Sequence, residues 1–88
     1  MIENSTKKSF VFIIQLEVTA YTTARILTIL MERNIEVDEL HYYGGEINRG
    51  RLMIHCQMEH DRINRAAIMM NKLPGVIRLD WMESRRRL

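Results

Sequence analysis

The side chains best suited to coordination chemistry gather in one short stretch. His55 and Cys56 are adjacent, His60 follows them, and His41 precedes them on another segment. Imidazole nitrogens and a thiolate are the usual ligands of zinc and copper. Their spacing works against a shared ion. His55 and Cys56 are consecutive in an alternating stretch, so as strand residues they point to opposite faces. There is no Cys-x-x-Cys or His-x-x-x-His pair. The expectation is structural or surface histidines, with no metal and no cofactor. Asp38-Glu39 is the next candidate, but adjacent strand carboxylates diverge, and their expected work is solubility and edge protection. No nucleophile stands beside a base in a recognisable motif, so catalysis is not expected.

Binding is better served than catalysis. Between Leu16 and Leu40 the chain reads as a strand end, a polar turn Thr19-Ala20-Tyr21-Thr22-Thr23, a helix and a second strand. Backbone N–H groups at a helix start are unpaired and attract carboxylates and phosphates. Thr22 or Thr23 is the expected cap of that helix.

The elements that position this turn follow from periodicity. Ser9 to Val18 alternates, with Phe10, Phe12, Ile14, Leu16 and Val18 on one face and Val11, Ile13, Gln15 and Glu17 on the other. That pattern is a strand. Thr22 to Arg33 has a helical period with a wide apolar stripe of Thr23, Ile26, Leu27 and Leu30, flanked by Ala24, Ile29 and Met31. A stripe that wide predicts burial on more than one side. Asn34 suits the helix exit. Ile35 and Val37 point inward, then Leu40 and Tyr42, and that slip predicts a bulge near Asp38-Glu39. Gly44-Gly45 and Asn48-Arg49-Gly50 mark a hairpin loop. Leu52, Ile54, Cys56 and Met58 are the inward set of the third strand. Asp61 is placed to cap a second helix with Ile63, Ala66, Ala67 and Met70 in step, ended by Leu73-Pro74-Gly75. The last strand, Val76 to Met82, puts Ile77, Leu79 and Trp81 on one face and Val76, Arg78, Asp80 and Met82 on the other.

The order β-α-β-β-α-β with right-handed crossovers is the ferredoxin-like α+β arrangement: a four-stranded antiparallel sheet with both helices on one face. The open face then carries Val11, Ile13, Met53 and His55, with Val76 or Met82 beside them. It is more apolar than a solvated face requires, which marks an interface.

Length and composition set outer bounds. Eighty-eight residues make one domain, and a chain this short buries only about 60–65% of its unfolded surface, so a second copy is an easy source of stability. Residues 1–8 read as a flexible arm, 9–83 as the domain and 84–88 as a basic tail holding Arg85-Arg86-Arg87. The net charge of +2 is too weak to indicate nucleic acid. An RNA-binding version of this fold also needs stacking aromatics on its third strand, and Arg51 to Met58 has none. One cysteine, a polar N-terminus and no long apolar run point to a cytoplasmic protein without a membrane span.

Two stretches carry a family resemblance. Ala24-Arg25-Ile26-Leu27 through Leu30-Met31-Glu32-Arg33-Asn34-Ile35-Glu36-Val37-Asp38-Glu39-Leu40 resembles the helix and R-G-x-N-I-x-S-L segment of the ACT domain in the small regulatory subunit of acetolactate synthase. Met70-Asn71-Lys72-Leu73-Pro74-Gly75-Val76-Ile77-Arg78-Leu79 is similar to that family's Q-L-x-K-L-x-x-V-x-x-V. The likeness runs over about residues 10–83 and implies a non-catalytic subunit. It would form a homodimer through its sheet, dock on the large catalytic subunit of acetolactate synthase and bind a small amino acid such as valine at the first βα turn. On that resemblance the effector-binding residues are Thr19, Tyr21, Thr22, Thr23 and Glu36, and the dimer or partner interface is Val11, Ile13, Met53 and His55.

The chain departs from the family where the effector sits. Val18 and Glu36 stand in place of asparagines, Tyr21 in place of a glycine, and Asn34 in place of the glycine after the helix. A tyrosine fills space the glycine would leave, and Glu36 repels a ligand carboxylate. The expectation is therefore altered or weak effector binding. Two alternatives stand beside it. One is a free-standing ACT dimer that senses another metabolite. The other is a small acylphosphatase-like enzyme, which needs an arginine in the loop before the first helix, where residues 19–23 have none.

Overall fold

The computed structural model describes residues 7–45 and 47–84. Most of the expected arm and the Arg85–Arg87 tail lie outside these residues. The elements are β1 (Lys7–Glu17), α1 (Thr19–Glu32), β2 (Glu36–Gly44), β3 (Arg49–Glu59), a single 3-10 turn (His60–Arg62), α2 (Ile63–Asn71) and β4 (Val76–Ser84). The sheet order is β2-β3-β1-β4 with antiparallel neighbours throughout. This is the ferredoxin-like topology. β1 begins at Lys7, two residues earlier than its alternation indicated, because Lys7 and Lys8 pair with Glu59 and Met58.

The core forms as the two inner strands require. Phe10, Phe12, Ile14 and Leu16 of β1 and Leu52, Ile54 and Cys56 of β3 are fully buried. Ile26 and Leu30 of α1 and Ile63, Ala66, Ala67 and Met70 of α2 cover them. Trp81 of β4 meets Phe10 edge-on, with ring centroids 5.8 Å apart. A fully buried Leu or Phe contributes roughly 1.5–3 kcal/mol, so this double row is the main stabilising element.

Four local expectations are corrected. First, α1 starts at Thr19, so the supposed polar turn is its first turn and neither Thr22 nor Thr23 caps it. Val18 occupies the N-cap position in a left-handed conformation, φ 52 and ψ 60. Second, the buried stripe of α1 is narrow: Thr22, Ile26 and Leu30 are buried, while Met31 is 74% exposed. Both helices lie on one side of the sheet, so α1 has one face to bury. Third, Asp61 lies inside the 3-10 turn and makes no side-chain cap for either short helix. Fourth, a register shift at Gln15/Leu16 pairs Leu16 with Val76 and Gln15 with Arg78. The extra residue pushes Ile77 outward and brings Val76 against the core. Alternation gives no sign of a bulge where both neighbouring residues, here Val76 and Ile77, are apolar. The other bulge, at Asp38 between the pairs Val37–Cys56 and Glu39–His55, is where the slip in apolar spacing placed it.

One small cluster joins three elements. The Thr22 hydroxyl donates to the Glu17 carbonyl at 2.7 Å. The Glu17 N–H donates to the Gly75 carbonyl at 2.8 Å. Gly75 has φ 96, and a Cβ there would overlap Thr22 Oγ1 and come within 2.9 Å of the Glu17 carbonyl oxygen. Only glycine suits both the backbone and the space.

Two outcomes follow. Gly75→Ala should cost about 2–4 kcal/mol, read as a lower denaturant midpoint. Burial, with the Asp38 carboxylate adding to it, pushes the Cys56 thiol from its ordinary value of 9.0 up to about 12. The native thiol should therefore resist thiol reagents at mildly alkaline pH and react at once on unfolding. Because the unfolded chain loses this proton first, stability should fall as pH rises between 9.0 and about 12.

Candidate functional site

The turn between β1 and α1 is held on both sides. Val18 N–H donates to the Asn48 carbonyl of the β2–β3 loop at 3.1 Å, and Thr22 N–H returns to the Val18 carbonyl at 3.0 Å. No acidic side chain occupies the first turn of α1, and no side chain caps it. The first N–H groups of the helix are thus left for solvent or an anion.

Thr19, Ala20 and Thr23 form one wall of an open, mostly apolar depression of about 290 Å³, and Tyr42 forms the other. The expected effector residues divide around it. Thr19 and Thr23 line it. Thr22 lies beneath, 1% exposed, with its hydroxyl committed to Glu17. Tyr21 projects outward, 58% exposed, and accepts a hydrogen bond from Arg25 at 3.4 Å. The Arg25 guanidinium also lies 5.9 Å from the Tyr21 ring centroid. Glu36 stands at the opposite end of the sheet, in the row of Gln57 and Ser9. At about 3.3 Å per residue along β1 that is roughly 27 Å from the turn. Within one chain Glu36 shares no site with the threonines.

Ala20 and Tyr42 were not foreseen. Tyr42 reaches the depression because its ring lies over two glycines: a Cβ on Gly50 would sit 2.8 Å from the ring, and one on Gly44 3.3 Å. The signal was present in Gly44 and Gly50, which alone read only as loop markers. Tyr42 is 49% exposed, as the helices leave the outer half of β2 uncovered; Val37 and Leu40 beside it are 38% and 36% exposed.

The expected interface residues share the open face. Val11 is buried there by its neighbours, Ile13, Met53 and His55 are half-buried, and Met82, opposite Val11, is exposed. His55 Nδ1 is buried without a partner. His41 Nε2 lies 3.1 Å from Glu39, and the His41 ring stands edge-on to His55 with centroids 6.2 Å apart. Cys56 points into the core instead. Among the described residues no three His, Cys, Asp or Glu side chains converge on one point. At the hairpin end of the same face Arg51 lies over Tyr43, 5.6 Å from its centroid, beside a concavity of about 300 Å³. Among the described residues no helix is long and apolar enough to cross a membrane.

No protein-family model and no curated protein matches the chain. Solved structures do. The ACT domain from GTP pyrophosphokinase of Chlorobium tepidum superposes with a TM-score of 0.76 at 12% identity, over 88% of this chain and 100% of that one. The C-terminal domain of the MgtC protein from Mycobacterium tuberculosis does so with 0.73 at 16%, over 94% of each. The 30S ribosomal protein S6 from Thermotoga maritima gives 0.69 at 13%, over 89% of this chain and 88% of that one. The fold is ACT-like, and the same architecture serves a ribosomal protein.

Val18 offers a direct check on the turn. A β-branched residue in the left-handed region is strained by roughly 1–2 kcal/mol. Val18→Asn should relieve part of it and raise stability by about 1 kcal/mol, seen as a higher urea midpoint at unchanged slope.

Proposed function

We propose that this chain is a cytoplasmic, non-catalytic regulatory subunit of acetolactate synthase, an ACT-like domain with weak or altered amino-acid effector binding. The observation that carries the proposal is the depression between the first turn of α1 and Tyr42. It combines free helix N–H groups with an apolar wall, the two features that recognise the carboxylate and side chain of an aliphatic amino acid. It also opens at β2, a free sheet edge, so a second subunit alongside would enclose it. The likeness of residues 24–40 and 70–79 to the acetolactate synthase subunit supports the choice of partner.

Weak binding follows from the same geometry. Tyr21 faces Arg25 rather than the depression. Thr22 spends its hydroxyl on the fold. The family's two asparagine positions carry Val18 and Glu36, and Glu36 is remote from the turn. That leaves Thr19 and Thr23 as the polar side chains at hand.

The second proposal is a free-standing ACT-like dimer that senses a different metabolite, favoured by the ACT domain of GTP pyrophosphokinase among the structural neighbours. A nucleic-acid role has less support: the open face of β3 presents Arg51, Met53, His55 and Gln57, with no Phe, Tyr or Trp ring for a base to stack on.

Co-purification with the large thiamine-dependent synthase subunit separates the two proposals. The regulatory proposal expects a stable complex and a changed synthase rate; no complex and no rate change would defeat it. Titration calorimetry with valine, leucine and isoleucine should give dissociation constants no tighter than about 1 mM, near 4 kcal/mol of binding. Micromolar binding of any of the three would show the effector site to be intact.

A further inference from the structure

We propose that the concavity at the hairpin end of the open sheet face binds the phosphoryl group of a small molecule, gripped by Arg49 and Arg51. This concavity and the depression beside Thr19 and Thr23 lie on opposite sides of the sheet. The inference therefore stands apart from the effector and from any catalytic partner.

The strand registers bring its walls together. Gln15, Arg51 and Tyr43 stand in one row across β1, β3 and β2. Arg49, two residues from Arg51 on β3, shares its face. The register shift at Gln15/Leu16 leaves Ile77 exposed on the β4 side. Past Tyr43 the chain enters Gly44 and Gly45, and a Cβ on Gly45 would meet nothing within 4 Å, so that side stays open. The result is a concavity of about 300 Å³ that sets two guanidinium groups, the Gln15 amide and the Tyr43 ring around an apolar patch at Ile77. Sites for small ligands begin at about 300 Å³.

Charge is the first feature that selects the ligand. Among the described residues Arg49 and Arg51 make no ion pair. The other charges of the face are engaged or remote. Arg78 pairs with Asp80 at 2.9 Å, and Asp80 sits one row away, opposite Ile13. Glu39, opposite His55, lies 3.1 Å from His41. Lys7, Glu59 and Glu36 belong to the far end of the sheet. Glu17 stands opposite Arg49 in the register, yet the two form no ion pair. Two guanidinium groups beside one concavity attract a doubly charged anion more than a singly charged one.

Geometry is the second. The Arg51 guanidinium lies over the Tyr43 ring, 5.6 Å from its centroid. Tyr43 is itself stacked beside His41, with centroids 6.3 Å apart. A guanidinium resting on a ring keeps its N–H edge free, and part of its ordering cost is met before a ligand arrives. Each planar fork can hold two oxygens. A phosphoryl dianion has three terminal oxygens and two charges, enough to engage both forks. A carboxylate has oxygens for one.

Chemical-shift titration of the isotope-labelled full chain tests this, with inorganic phosphate, phenyl phosphate and benzoate as probes at constant ionic strength. Both phosphates should move the Gly44, Gly45 and Gly50 amides and the Arg49 and Arg51 side-chain signals, and should saturate with a dissociation constant of about 1 mM or below. Benzoate should bind at least about tenfold more weakly. Tighter binding of phenyl phosphate than of inorganic phosphate assigns the site to a phosphate ester; equal or weaker binding assigns it to free phosphate. Arg49→Gln and Arg51→Gln, both at exposed sites, should each weaken phosphate at least about tenfold while the amide spectrum stays folded. Arg65→Gln on α2 should change nothing. Glu17→Gln and Glu46→Gln, which remove negative charges from the strand end and the hairpin loop, should each tighten binding by up to about threefold. Absence of saturation would overturn the proposal, as would shifts confined to the first turn of α1. So would equal weakening by Arg65→Gln, which would reduce the effect to net charge. A single-stranded oligonucleotide that binds more tightly than phenyl phosphate, with a steep salt dependence, would overturn it in favour of a nucleic-acid surface.

Discussion

The contact among Thr22, Glu17 and Gly75 sets the geometry of everything at the hairpin end of the molecule. A buried hydroxyl must find an acceptor or lose roughly 1–3 kcal/mol. The Glu17 carbonyl at 2.7 Å is the acceptor, at the last residue of β1. The same residue's N–H is bound by Gly75, at the entry to β4. The end of β1, the first turn of α1 and the sequence-distant entry to β4 are thereby fixed within one small volume. The direction of α1 as it leaves the sheet is a consequence, and so is the left-handed Val18. The chain has one residue between Glu17 and Thr19 in which to turn from strand to helix.

That constraint explains what was and was not legible in the sequence. The inner strands were plain, because Phe10, Phe12, Ile14 and Leu16, and likewise Leu52, Ile54, Cys56 and Met58, repeat with the period of a pleated strand. The second helix was plain for the same reason at helical spacing. The start of α1 was not. Thr19-Ala20-Tyr21-Thr22-Thr23 has the composition of a turn, and its residues gain little from helix propensity. It is helical because Thr22 is needed beneath the sheet's end, a tertiary requirement that composition does not carry. The Ile77 bulge was hidden by chemistry: valine and isoleucine are nearly interchangeable in an alternating pattern, so Val76 and Ile77 exchanged faces without any polar residue to signal it.

The candidate site shows a similar division. Its polar members Thr19 and Thr23 could be placed by their nearness to the helix start. Tyr42 could not, since it comes from a strand paired two strands away from β1 and is steered by glycines whose lack of a side chain makes the room. Glu36 illustrates the opposite case. Its position was inferred from a family pattern rather than from its neighbours, and the register of β2 sets it by Gln57, beyond the reach of the turn. Resemblance transfers a topology more readily than it transfers the identity of the groups around a ligand.

The bulge at Asp38 bears on how far this protein can assemble. β2 is an edge strand with half-exposed apolar side chains, the kind of border along which sheets grow into fibres. The extra residue interrupts the even ladder after Val37, and Asp38 and Glu39 add carboxylates at that point. A bulged strand bends and twists more sharply than its neighbours. An incoming strand could then follow only the short stretch toward Gly44 before losing register. The irregularity that breaks the apolar pattern of β2 therefore also acts as a stop against open-ended polymerisation.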